Sequence, residues 1–100
     1  MERNTNGARQ VTADWVRANR EDLRLVDVRQ DYTGPLGFID GAEWVPLDVL
    51  AETAIGWDRK KAVVVLDIAG QDSDLAATSM EALGFVRAAS MSGGMMAWEA

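Results

Sequence analysis

Ala62-Val63-Val64-Val65-Leu66-Asp67-Ile68-Ala69-Gly70-Gln71-Asp72-Ser73 carries the strongest structural signal in the chain. Its first five residues are continuously apolar and centred on three valines, the composition of a central strand covered on both faces of a parallel sheet. A polar turn follows, and then Leu75, Ala76, Ser79, Met80 and Leu83 recur at helical spacing until Gly84 ends the helix. Strand, tight turn and helix make half of a βαβ crossover, and the same rhythm extends in both directions. Upstream, Thr12 is placed to cap a helix that takes its apolar face from Trp15 and Val16 and ends at Asn19-Arg20. Leu23 to Val28 reads as a strand, and Gly34-Pro35, Gly37 and Gly41 mark an irregular loop. Ala42 to Val45 reads as a brief strand closed by Pro46, and Leu47 to Ala54 as a helical turn or two broken by Gly56. Downstream, Phe85 to Met91 reads as the last strand, Gly93-Gly94 as a turn and Met95 to Glu99 as a terminal helix. The expectation is an α/β domain over residues 10–100, with a five-stranded, mainly parallel central sheet flanked by helices, behind a flexible tail at 1–9.

Composition narrows the chemistry. The chain has 100 residues, 48% of them hydrophobic, and a formal charge of −6, which suits one folded domain and is too apolar for a disordered segment. Ala62–Leu66, the longest apolar run, is too short to cross a bilayer, and Met1 to Gln10 is polar, so a cytoplasmic location without a membrane partner is expected. The acidic balance argues against nucleic acid, and the Arg59-Lys60-Lys61 run reads as a solvated turn. Cysteine and histidine are both absent. That removes disulfides, thiolate chemistry, imidazole bases and zinc sites built on sulfur or nitrogen. No cofactor is expected.

Four segments, in this order, resemble the rhodanese-like (sulfurtransferase) domain family: Leu25-Val26-Asp27-Val28-Arg29; Gly37-Phe38-Ile39-Asp40-Gly41-Ala42 leading to Val45-Pro46-Leu47; Val63 to Ser73; and Ser92-Gly93-Gly94-Met95-Met96-Ala97-Trp98. The resemblance implies a three-layer α/β fold in which the apolar strand delivers a catalytic cysteine into a six-residue loop reading Cys-Arg-Ser-Gly-x-Arg. Here the corresponding loop is Asp67, Ile68, Ala69, Gly70, Gln71 and Asp72. Its length matches the sulfurtransferases rather than the related phosphatases, whose loop is one residue longer. The family chemistry needs a soft thiolate that carries sulfur as a persulfide, stabilised by N–H groups at a helix N-terminus. A carboxylate at position 67 is a hard, weak nucleophile and cannot carry sulfur. Ile68 and Asp72 stand where the family has arginines, and from Ala62 to Val86 there is no Lys or Arg, so anionic donors such as thiosulfate are repelled. Where the family usually reads Gly-His-Ile-Pro-Gly-Ala, Phe38 replaces the histidine and Asp40 the proline.

The resemblance therefore implies a pseudoenzyme, a sulfurtransferase fold without its nucleophile. Asp67 is expected to accept the loop N–H groups and plug the anion cradle. Its alternative role, general base or nucleophile in a hydrolase or lyase, lacks an acid partner. Asp72-Ser73-Asp74 suits the first turn of a helix; a hard-cation site of Asp67, Asp72 and Asp74 does not match the spacing of an EF-hand loop, and no metal is expected. Asp27 reads as a structural strand-end residue and Arg29 as the partner of a nearby carboxylate. Trp57 and Trp98 read as core. Phe38, Asp40, Trp44, Asp72, Met95 and Met96 form the candidate partner-binding surface, apolar and rimmed by acids, suited to a protein of basic character. The departures cluster at the pocket while the framework stays intact, a pattern that natural decay and deliberate redesign into an engineered binder would both leave.

Overall fold

The computed structural model describes residues 2–3, 8–31 and 36–99. Six strands form one sheet: β1 (Glu2–Arg3), β2 (Arg9–Val11), β3 (Leu23–Asp27), β4 (Glu43–Trp44), β5 (Ala62–Leu66) and β6 (Ala88–Met91). Their spatial order is β1-β2-β6-β5-β3-β4. Strands β2, β6, β5, β3 and β4 are mutually parallel, and β1 adds antiparallel to β2 at the rim. The segment expected as a tail thus contributes Glu2–Arg3 to an edge, whereas Met1 and residues 4–7 lie outside the described residues, as do 32–35 of the glycine-rich loop. Arg9–Val11 was not read as a strand, because three residues carry too little alternation to register.

Strand β5 is buried along its whole length and sorts its side chains by period two. Val63 and Val65 join Val26, Val28, Leu50, Ala76, Ala77, Met80 and Phe85 on one face. Ala62, Val64 and Leu66 join Val11, Val16, Leu25, Met91 and Met95 on the other. Helices α2 (Leu50–Thr53) and α3 (Gln71–Ala82) cover the first face; α1 (Ala13–Asn19) and α4 (Gly94–Glu99) cover the second. This is a three-layer α/β fold. Trp57 and Trp98 pack half-buried, one against each core, and Trp57 meets Phe85 edge-on with centroids 6.5 Å apart.

Two elements differ from expectation by more than one residue at a boundary. Leu47 to Gly56 is a 3-10 turn, one turn of α-helix and a second 3-10 turn. The last strand begins at Ala88 rather than Phe85. Gly84 N–H donates to Glu81 O and Phe85 N–H to Met80 O, the paired bonds of a Schellman helix end, so Phe85 belongs to the stop of α3 while its ring fills the core.

Candidate functional site

In a parallel sheet the C-terminal ends of all strands share one edge, so Arg29, Val45, Asp67 and Ser92, each just past its strand, gather there. Asp67 follows β5 directly and is 7% exposed. Its Oδ1 accepts from Gly70 N–H (2.5 Å) and its Oδ2 from Asp72 N–H (2.8 Å), with the Ser73 hydroxyl 3.3 Å from Oδ1. The donors belong to the turn and first residues of α3, where unpaired N–H groups and the helix dipole favour an anion. Each charge-assisted bond of this kind contributes about 1.5–3 kcal/mol.

The backbone of the turn is held from behind. Met95 N–H donates to Asp67 O (2.8 Å) and Met96 N–H to Ile68 O (3.1 Å), so the start of α4 caps the turn. Ser73 Oγ lies 2.7 Å from Ser90 Oγ, a buried hydroxyl bridge between α3 and β6. Asp74 is 8% exposed, and its Oδ1 accepts from Gln10 Nε2 at 3.5 Å. Neither the serine bridge nor the Gln10 contact is signalled by spacing, since both join elements distant in the chain. Among the described residues no group of three acidic side chains is placed to hold a metal ion.

The next strand end carries a second buried charge. The Arg29 guanidinium donates to both carboxylate oxygens of Asp27 (2.7–3.0 Å), and the two side chains are 3% and 1% exposed. Arg29 Nη2 also donates to Gly37 O (2.7 Å), which ties the loop bearing Phe38 to the sheet edge. Trp44 Nε1 donates to Arg29 O (2.7 Å). Arg29 thus holds the segments of two aromatic candidates, the Phe38 loop through its guanidinium and Trp44 through its backbone carbonyl.

Of the candidate surface, Phe38, Asp40, Trp44, Asp72 and Met96 are exposed, and Asp40 lies by the end of α1, where its carbonyl accepts from Arg20. Met95 is not exposed. It is fully buried beneath the turn among the residues of the α1/α4 face, because the N-terminus of α4 must approach Asp67 closely, and it is removed from the surface on that ground.

The rhodanese-like domain family matches residues 12–100. No curated protein sequence matches the chain. Among solved structures, a rhodanese-related protein from Thermoplasma volcanium superposes with a TM-score of 0.80 at 24% identity, over 91% of this chain and 90% of that one. A human single-domain sulfurtransferase gives 0.78 at 23%, over 93% and 96%. A Staphylococcus aureus rhodanese-like domain protein gives 0.75 at 23%, over 90% of each. These likenesses establish the fold, and the absence of cysteine is compatible with loss of sulfurtransferase activity. With the family matched over residues 12–100 and the fold shared with rhodanese-related structures, this chain belongs to the rhodanese-like domains.

Proposed function

We propose that the chain is a catalytically silent rhodanese-like domain that works as a protein-binding or regulatory module through the sheet edge carrying Asp67. The observation that supports this is the Asp67 carboxylate itself, which occupies the turn's N–H donors where the resemblance expects a sulfur atom. Both of its oxygens are engaged by donors, which argues against a base or nucleophile. Phe38, Trp44 and Met96, all exposed, together with the exposed acids Asp40 and Asp72 have the composition of an aromatic-anchored contact surface with acidic residues, suited to a basic partner. Decay and redesign of the pocket lead to the same reading.

Sulfur transfer from thiosulfate to cyanide tests the silent part. The wild-type chain and Asp67→Cys are expected to give no thiocyanate above background, and Asp67→Cys/Ile68→Arg/Asp72→Arg to gain it, because the anion needs cations as well as a thiol. Thiocyanate from the wild-type chain would refute silence. For the binding part, Phe38→Ala and Met96→Ala are expected to lose a partner captured by the wild-type domain while remaining folded by circular dichroism. Undiminished capture by both would move the contact elsewhere.

A further inference from the structure

Trp15 and Val16 were both expected on the apolar face of α1, yet only Val16 enters the core. Trp15 is 38% exposed, and among the described residues no ring or cation stacks on it and its indole N–H meets no acceptor. It lines a cavity of about 370 Å³ together with Asn19, Asp22, Leu23, Ala62 and Arg87. Leu23 and Ala62, register partners at the first positions of β3 and β5, are buried and form its apolar base. Trp15 and Asn19 stand four residues apart and share one face of α1; Asn19 Nδ2 donates to Trp15 O (2.8 Å), which leaves its Oδ1 as an acceptor. Asp22 comes from the 3-10 turn Arg20–Asp22 that follows α1. Arg87 immediately precedes β6, and its Nη2 donates to Lys60 O (3.2 Å).

Asp22 and Arg87 bring opposite charges to one concavity without meeting. Among the described residues neither makes an ion pair, and Nε and Nη1 of Arg87 have no acceptor. An unpaired carboxylate, an unpaired guanidinium and an unstacked indole around an apolar base are the complement of a small zwitterion with a flat apolar body. A ligand with one charge would answer one of the two charged walls and leave the other unanswered. We propose that this cavity binds a free amino acid with an aromatic side chain. Its carboxylate meets the Arg87 guanidinium, whose planar fork suits that group. Its ammonium meets the Asp22 carboxylate and Asn19 Oδ1, and its ring lies against Trp15. Ala62 stands five residues before Asp67, about 17 Å along the strand direction, so this site is remote from the Asp67 turn and independent of the contact surface proposed there.

Proton–nitrogen correlation NMR of the whole chain tests this with three probes: L-phenylalanine, hydrocinnamate, which lacks the ammonium, and phenethylamine, which lacks the carboxylate. L-phenylalanine is expected to shift the Trp15 indole N–H and the Leu23 and Ala62 amides saturably, and each singly charged analogue to bind at least about tenfold more weakly. Asp22→Asn and Arg87→Gln change exposed side chains, and both variants are expected to keep the wild-type circular dichroism. Asp22→Asn should weaken L-phenylalanine about tenfold without weakening hydrocinnamate, and Arg87→Gln should weaken it about tenfold without weakening phenethylamine. That crossed pattern assigns each charge of the ligand to its own wall, which a merely apolar cleft would not do. L-phenylalanine that leaves these signals unmoved, that binds no better than its analogues, or that binds both variants as it binds the wild type would overturn the inference. The Asp67-edge reading is untouched by any of these results, because it is read from capture by Phe38→Ala and Met96→Ala instead.

Discussion

Asp67 and Arg29 are both buried charges, yet they are neutralised differently, and the difference sets the cost of removing each. Asp67 is held by backbone and hydroxyl donors at the rim of the turn, so Asp67→Ala strands Gly70 and Asp72 N–H groups that water can partly reach. We expect a loss of about 1–3 kcal/mol. Arg29 balances a carboxylate that is 1% exposed, so Arg29→Ala leaves Asp27 buried without its counter-charge and should cost about 3–5 kcal/mol. Urea denaturation of the two variants gives the order, and Asp67→Ala costing more than Arg29→Ala would reverse this account. At this scale the sequence was informative where chemistry is local. Asp67 and Asp72 lie within one turn, and Asp27 is two residues from Arg29. Met95 was misplaced because burial at a helix start depends on how closely α4 approaches Asp67, which only tertiary packing determines.

Among the elements, the two helix junctions at Gly84 and Gly94 use glycine for different reasons. Gly84 has φ +97° at the end of α3, and a Cβ there would meet nothing nearer than Arg59 Cδ at 3.5 Å. Gly84→Ala should therefore cost only the left-handed backbone strain, about 1–2 kcal/mol. Gly94 has φ +56°, and a Cβ there would lie 2.3 Å from Asp67 O and 2.6 Å from Ile68 O. Gly94→Ala must push α4 off the turn it caps, and a loss of at least about 3 kcal/mol is expected in thermal or urea unfolding. Equal losses would show that the close approach is dispensable. Helix and strand order was legible because β5 is uniformly apolar and α3 has a clear start and stop. The start of β6 was not, since Phe85 is as apolar as a strand residue and only the bonds from Gly84 and Phe85 N–H back to Glu81 and Met80 assign it to the helix end. Strand β2 has three residues and its pairing with β6 spans most of the chain, so no local pattern announces it.

For the molecule as a whole, stability is concentrated in the middle of the sheet. β5 is paired on both sides and covered on both faces, whereas β4 is a two-residue edge strand with both residues exposed. Amide hydrogen exchange should accordingly be slowest in Val63–Leu66, intermediate in β3 and β6, and fast in β4, where opening needs little more than local fraying. Comparable protection in β4 and β5 would point to a covering that the described residues do not contain. The carboxylate in the Asp67 turn has a further consequence for the chain in its surroundings. A thiolate in such a ring of amides climbs from sulfenic to sulfinic and sulfonic acid when peroxide is present, and is open to alkylation by electrophiles. A carboxylate does neither, so this turn keeps one chemical form in oxidising and reducing conditions alike.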